Sequence, residues 1–264
     1  MQAVLTSTDL LRVICDFQGG VYRICRRPWV HRRFTASGIG DVGASFHRDA
    51  WGISSLEFHL YPFETHFRPW YARHGIDGAR RLMRCKPHLT PRVLDYAVRY
   101  GDEALLAQLS SPATTSTTIN VAAYYGHLGV LQYLFAQGAT GFGSACVHAA
   151  ALRGHLAVVR FVVDNGVPYA DEHMAGTLLV DAMSFAAETG QLAVVTYLYS
   201  HQARRNSRLA LNKAVVHGHV AVVSFLCEQS QETCSATAIE FARRRGHTAV
   251  LAYLAARGIA PRDN

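Results

Sequence analysis

The feature that most constrains this chain is a glycine that recurs six times with the same neighbours. An alanine lies four residues before each glycine, and aliphatic residues lie four, five and eight residues after it. Those aliphatic positions fall on one face of a helix. Glycine ends the preceding helix at low cost because it readily adopts the left-handed conformation. Each unit therefore predicts a helix, a tight turn and a second helix. The glycines are Gly101, Gly126, Gly154, Gly190, Gly218 and Gly246.

The spacing of these glycines predicts a stacked array. Successive intervals are 25, 28, 36, 28 and 28 residues. A helix pair of this size cannot bury its apolar face alone, whereas stacked neighbours bury it together. We therefore predict an all-α helical-repeat solenoid of six repeats over residues 91–264. The one long interval predicts an insertion at residues 166–178, either a protruding loop or an ordinary longer connection.

Several segments resemble the ankyrin repeat family. They are AAYYGHLGVLQYLFAQGA, AAALRGHLAVVRFVVDNGV and AVVHGHVAVVSFLCEQ, which are similar to the family's AAxxGHLxVVxxLLxxGA core. The resemblance covers roughly residues 88–260 and the helical half of each repeat. The family's TPLH signature is nearly absent, and most units are about five residues shorter than the usual repeat. This departure predicts shortened or irregular hairpin fingers.

The ankyrin resemblance also implies a binding surface. In the family, the two residues before each glycine line a concave groove and contact a partner, and the histidine after the glycine bridges neighbouring loops. Here the two groove positions hold Arg and Tyr several times, and these residue types anchor protein interfaces. The alternative is that they are ordinary exposed helix ends. The positions are Arg99 and Tyr100, Tyr124 and Tyr125, Leu152 and Arg153, Glu188 and Thr189, Val216 and His217, and Arg244 and Arg245.

Residues 1–90 differ from the repeats in charge and composition. They carry 13 Arg and Lys against 7 Asp and Glu, whereas residues 91–264 carry 13 against 12. We expect a helical capping region with a glycine-rich loop over residues 35–56. Residues 64–86 predict a helix pair around Gly75, and a degenerate additional repeat is one interpretation of it. The basic surplus fits a nucleic acid, an acidic partner or a solvated face.

The extreme N-terminal segment allows a second interpretation. The sequence VLTSTDLLRVICDF predicts an amphipathic helix, and the basic and aromatic residues that follow make residues 4–30 similar to the start of an F-box. The usual Leu-Pro opening is missing. The F-box resemblance implies a Skp-type subunit of a ubiquitin ligase as partner. The alternative is a helix that caps the first repeat.

Sequence motifs of enzymes and metal sites are not convincing in this chain. Gly38, Gly40 and Gly43 form a G-x-G-x-x-G motif, but the residues before it do not predict the buried strand that a dinucleotide site needs. No H-E-x-x-H, G-x-S-x-G or P-loop motif occurs, and four of the 14 histidines belong to the repeated Gly-His dipeptide. We therefore expect no enzyme activity, no cofactor and no metal site.

Apolar runs and cysteines bear on where the protein acts. No run approaches the roughly 18–20 residues of a membrane helix, and we see no secretory signal. The six cysteines have irregular gaps that suit reduced thiols, so we expect an intracellular, cytoplasmic protein. The sequence thus favours a non-enzymatic scaffold that binds another protein through the groove. A ubiquitin-ligase adaptor is the alternative, and a nucleic-acid binder that uses the basic first third is a less favoured one.

Overall fold

The structure is a computed structural model that describes residues 53–109, 114–165, 172–201, 207–230 and 232–258. No strand is present among these residues, and the predicted all-α fold is confirmed. The helices are α1 (Ile53–Cys85), α2 (Thr90–Tyr100), α3 (Glu103–Leu106), α4 (Ser116–Tyr125), α5 (Leu128–Ala136), α6 (Ser144–Arg153), α7 (Leu156–Asp164), α8 (Glu172–Glu188), α9 (Leu192–Ser200), α10 (Arg208–His217), α11 (Val220–Gln229), α12 (Ala236–Arg244) and α13 (Thr248–Ala256), with a 3-10 turn at Pro87–Leu89.

The chain divides into two compact units. The first comprises Met1–Ala97 and Ala104–Pro112, and the second comprises Val98–Glu103 and Ala113–Asn264. The predicted F-box-like segment and the G-x-G-x-x-G motif lie outside the described residues. They stay predictions about the first unit.

The described core of the first unit is aromatic. Phe67 on α1 is completely buried, and the rings of Phe63 and Tyr71 stack on it with centroids 4.8 and 5.4 Å away. Tyr96 on α2 approaches the same ring edge-on at 4.9 Å. Helix α1 is interrupted at Gly75, whose φ of 59° and ψ of −160° are not helical. The interruption separates two helical halves at the glycine around which a helix pair is predicted.

The predicted loop over residues 35–56 is wrong at its C-terminal end. Residues 53–56 belong to α1, and Ile53 at the start of that helix is completely buried. A buried apolar side chain stabilises the first turn of the helix more than the nearby glycine and serine residues oppose it. Residues 35–52 lie outside the described part of the chain.

The second unit is a two-layered helical array. The inner layer consists of the helices that precede the turn glycines, namely α4, α6, α8, α10 and α12, and each packs on the next inner helix. The outer layer consists of α5, α7, α9, α11 and α13, which also pack in chain order. Inner and outer helices pair across each turn. The predicted ankyrin-like helical-repeat array is therefore confirmed.

The side chains of the repeat pattern are buried. The alanine four residues before each turn glycine is completely buried in every repeat, which lets neighbouring inner helices approach closely. The aliphatic residues after the glycine are at most 3 % exposed, apart from the half-buried Leu251 in the last repeat. Each such buried side chain contributes about 1.5–3 kcal/mol to the hydrophobic stabilisation of the fold.

The prediction of a loop or longer connection at residues 166–178 is wrong for residues 172–178. Residues 172–178 form the start of α8, which has 17 residues against 10 in α6 and in α10. The residues at this start include Glu172, Met174 and Ala175, which are strong helix formers, and a glutamate is favourable in a first turn. Residues 166–171 lie outside the described residues.

The connection between α5 and α6 bears on the predicted hairpin fingers. Residues 137–143 run from one helix to the next without forming a strand. Gly141 has a φ of 112°, and a side chain there would meet the backbone of Ser116 at about 3.0 Å. This connection agrees with the prediction of short, irregular fingers.

Candidate functional site

The turn glycines end the inner helices in the left-handed conformation. Gly126, which follows α4, has a φ of 78° and a ψ of 21°. Its own N–H and that of His127 donate to carbonyls of the last helical turn, and this pattern satisfies groups that a helix end leaves free. The turn glycines of the later repeats have φ values between 75 and 81°.

Successive repeats are joined by a histidine that bridges to the turn before it. The Nε2 atom of each histidine lies near a main-chain carbonyl, and because a carbonyl can only accept, this nitrogen donates. The bonds run from His127 to Arg99 O at 2.9 Å, from His155 to Tyr124 O at 3.0 Å, from His219 to Glu188 O at 2.9 Å and from His247 to Val216 O at 3.1 Å. The bridging that the ankyrin resemblance implied is confirmed.

One junction between repeats is bridged differently. Gln191 occupies the position of the histidine after Gly190. The equivalent carbonyl, Leu152 O, accepts a hydrogen bond of 2.6 Å from the hydroxyl of Thr189 instead. The Gln191 side chain lies against Gly154, where the histidine ring lies at the other junctions. The carbonyl is therefore satisfied at this junction by the residue before the glycine rather than by the residue after it.

The bridging side chains leave no room for a Cβ on the glycine below them. A Cβ on Gly126 would lie 2.5 Å from Nδ1 of His155, and one on Gly218 would lie 2.6 Å from Nδ1 of His247. Gly246 differs because nothing among the described residues lies within 4 Å of such a Cβ. Glycine is thus required at the bridged junctions for two reasons, its left-handed conformation and its lack of a side chain.

The structure places the twelve predicted groove residues at the C-terminal ends of the inner helices and of α2, but it does not expose them equally. Tyr124, Leu152 and Glu188 are only 5, 1 and 6 % exposed. Their carbonyls accept bridges between repeats, and their side chains are buried in the array. Arg99, Tyr125, Thr189, Val216 and His217 are half-buried, and Tyr100, Arg153, Arg244 and Arg245 are exposed.

Arginines and tyrosines contact one another at these ends. The guanidinium of Arg99 lies 5.1 Å from the ring centre of Tyr125 and donates to its hydroxyl at 3.0 Å. The guanidinium of Arg153 lies 5.1 Å from the ring centre of the buried Tyr124. Such contacts orient the two arginine side chains.

The acidic side chains near these ends are already engaged. Glu188 pairs with Lys213 at 2.9 Å, and the two oxygens of Glu240 bind Arg243 at 2.7 Å and Arg244 at 2.9 Å. Hydrogen bonds from the two arginines lower the pKa of Glu240. Burial, together with the charges of Arg245 and Lys213, lowers the pKa of His217.

The sequence reasoning missed an aromatic series on the outer helices. An aromatic residue lies seven positions after the turn glycine in five repeats, and this regularity was visible in the sequence. The rings contact the neighbouring repeat, as in the edge-on pairs of Phe161 with Phe135 and of Phe225 with Tyr199, at 5.6 Å in both cases. The series therefore holds the outer layer together. Its members are Tyr133, Phe161, Tyr197, Phe225 and Tyr253.

Tyr197 shows that polar groups of the outer layer find partners within the array. Its hydroxyl donates to Asp164 at 3.2 Å, and Arg160 lies over its ring at 5.2 Å. Burial and the neighbouring Asp164 raise the pKa of Tyr197 to about 12. The polar groups of the outer layer thus find partners within the array, which makes it a poorer candidate for the binding surface.

No group of three or more His, Cys, Asp or Glu side chains among the described residues is arranged to hold an ion. No helix in the same residues is long and apolar enough to cross a membrane.

Comparison with known proteins finds a match to the C-terminal part of the array. Residues 183–264 match the family model described as ankyrin repeats in three copies. No curated protein matches the chain. The matched stretch contains the bridged turns at Gly190 and Gly218, and the same turn with the same histidine bridge occurs earlier, at Gly126. This part of the chain is therefore similar to ankyrin repeats.

Proposed function

We propose that this protein is a non-enzymatic interaction module that binds another protein through the ends of its inner helices, the groove face of the array. Ankyrin repeats are a protein–protein interaction module. The observation that supports this choice of face is that main chain and side chains have different roles at the turns. The main chain there joins the repeats, while side chains such as Tyr100, Arg153 and Arg245 remain exposed.

The composition of this face supports the proposal. Arginine and tyrosine are over-represented among residues that dominate protein interfaces. Arg153 already rests on a buried ring, so a partner that binds it meets a side chain that has lost part of its conformational freedom. The outer face offers fewer free groups, since its aromatic residues are occupied by neighbouring repeats.

A pair of matched arginines tests the choice of face. Arg153 on α6 and Arg160 on α7 are both exposed and each lies over a tyrosine ring, at 5.1 and 5.2 Å. The full chain and its Arg153→Ala and Arg160→Ala variants would each serve as bait in quantitative capture followed by mass spectrometry. We expect proteins captured by the wild type to be retained by the Arg160 variant and depleted by the Arg153 variant. Depletion confined to the Arg160 variant, or no specific capture at all, would contradict the proposal.

A further inference from the structure

Positive charge lies at the exposed ends of the inner helices of the second unit. Residues 91–264 carry 13 basic and 12 acidic side chains, so the array as a whole is nearly neutral. The exposed ends of the inner helices nonetheless hold Arg153, Arg244 and Arg245. The acidic side chains of these helices are engaged or remote. Glu188 and Glu240 are ion-paired, and Asp181 lies about two turns before the end of α8.

Two of these arginines occupy the same place in their repeats. Arg153 and Arg245 each directly precede a turn glycine, and each leans on the repeat before it. Arg153 lies over the ring of Tyr124, and Arg245 donates to Val216 O at 3.0 Å. Among the described residues, no carboxylate pairs with either guanidinium. Burial lowers the pKa of His155 and of His217, and the charges of Arg153 and Arg245 respectively act in the same direction.

The distance between the two arginines sets the shape of the ligand. They are three repeats apart, and packed helices lie about 8–10 Å from one another, so roughly 24–30 Å separates the two positions. An extended polypeptide advances about 3.3 Å per residue, so roughly seven to nine residues span that distance.

We propose that the groove face binds an extended acidic polypeptide segment whose carboxylates pair with Arg153 and Arg245. This inference rests on the proposed function and names the chemical class of the partner. Carboxylates bind arginine through two parallel hydrogen bonds, which fits guanidinium groups held at one face without a carboxylate partner among the described residues. Thr189 and His217 occupy the same place in the repeats between the two arginines, so they lie along the path of the segment.

A peptide fits this face better than a single-stranded nucleic acid. Nucleic acids that bind without base pairing stack their bases on open aromatic rings. Here Tyr124 is 5 % exposed and lies beneath Arg153, and the ring of Tyr125 is covered by Arg99. The unit also lacks the overall basic charge of nucleic-acid-binding domains, since its basic and acidic residues nearly balance.

Binding of labelled oligomers to the full chain tests the proposal. The probes are oligoglutamates of about four and about twelve residues, of which only the longer spans both arginines, with oligolysine and oligouridylate of matched length. Fluorescence anisotropy would compare the wild type with Arg153→Ala/Arg245→Ala. The matched control is Arg73→Ala/Arg81→Ala, which removes two exposed arginines from α1 and leaves the same net charge.

We expect the long oligoglutamate to bind at least tenfold more tightly than the short one and to weaken about tenfold in the Arg153/Arg245 variant. The control variant should change its affinity less than about threefold. Absence of oligoglutamate binding, equal losses in the two variants, or preference for oligouridylate would overturn the acidic ligand. Capture of a partner that depends on Arg153 but occurs without oligoglutamate binding would leave the proposed function intact and reject only this inference.

Discussion

The junctions between repeats solve the same structural problem in two ways. At the histidine junctions, such as His219 on Glu188 O, the residue after the glycine reaches back to the preceding turn. At the junction of Gly154 with the following repeat, the donor is Thr189, the residue before Gly190, and its hydroxyl binds Leu152 O. Gln191, the residue after Gly190, lies against Gly154 instead. The comparison teaches that the array needs the bridged carbonyl more than it needs a particular donor.

The largest effect is expected at a bridged glycine. Gly126→Ala places a Cβ against the His155 ring in a left-handed conformation, so it should destabilise the protein by about 2–4 kcal/mol. Gly246→Ala meets only the conformational cost of about 1–2 kcal/mol. Urea unfolding of the full chain followed by circular dichroism measures both variants. Equal losses would show that the ring above Gly126 is not a constraint.

The donors themselves should matter less than the glycines. Thr189→Val keeps the shape of the side chain but removes the hydroxyl, and it should cost about 1–2 kcal/mol because Leu152 O loses its partner. Adding Gln191→His should recover most of that loss, since the histidine can donate to the same carbonyl. Urea unfolding of the single and double variants measures this recovery. If the double variant is no more stable than Thr189→Val, the two kinds of junction are not equivalent.

Acidification should weaken the histidine-bridged part of the array. Burial lowers the pKa of His155 and His217, so the unfolded chain binds their protons more readily than the folded chain. Their contribution to stability is therefore fully present above the ordinary histidine pKa of about 6.5 and decreases as the pH falls below it. Urea midpoints between pH 8 and pH 5 measure the trend. His155→Gln, which copies Gln191, should reduce this dependence, and an unchanged slope would contradict the role of His155.

The exposed arginines should have the smallest effect on stability. Arg153→Ala/Arg245→Ala should change the free energy of unfolding by less than about 0.5 kcal/mol. Val216 O keeps its bond from His247 when Arg245 is removed, and Tyr124 O keeps its bond from His155 when Arg153 is removed. Thermal unfolding of the double variant checks this. A loss comparable to that of the bridging side chains would mean that the arginines belong to the framework.

The sequence predicted the framework well because the framework is periodic. The buried alanines, the left-handed glycines and the aliphatic face recur in every repeat, so each repeat supports the interpretation of the others. The aromatic series seven residues after the glycine was equally regular, yet it was not recognised. Its role emerges only from contacts between repeats, such as Tyr197 with Asp164.

The candidate site was harder to predict than the framework. Periodicity locates the two residues before each glycine but does not say which side chain turns inward. Leu152 and Glu188 do so, and Glu188 pairs there with Lys213 of the next repeat, which is a contact between elements distant in sequence. The glycine spacing misled the interpretation of residues 172–178, which belong to an extended helix rather than to a loop.

The central claim is that a partner protein binds the ends of the inner helices. Amide hydrogen exchange of the full chain, alone and saturated with the protein it captures, tests this claim directly. We predict slower exchange around Arg153, His217 and Arg245 on binding, with no change along the outer helices α7 and α9. Protection confined to the outer helices, or to residues before Thr90, would contradict the account.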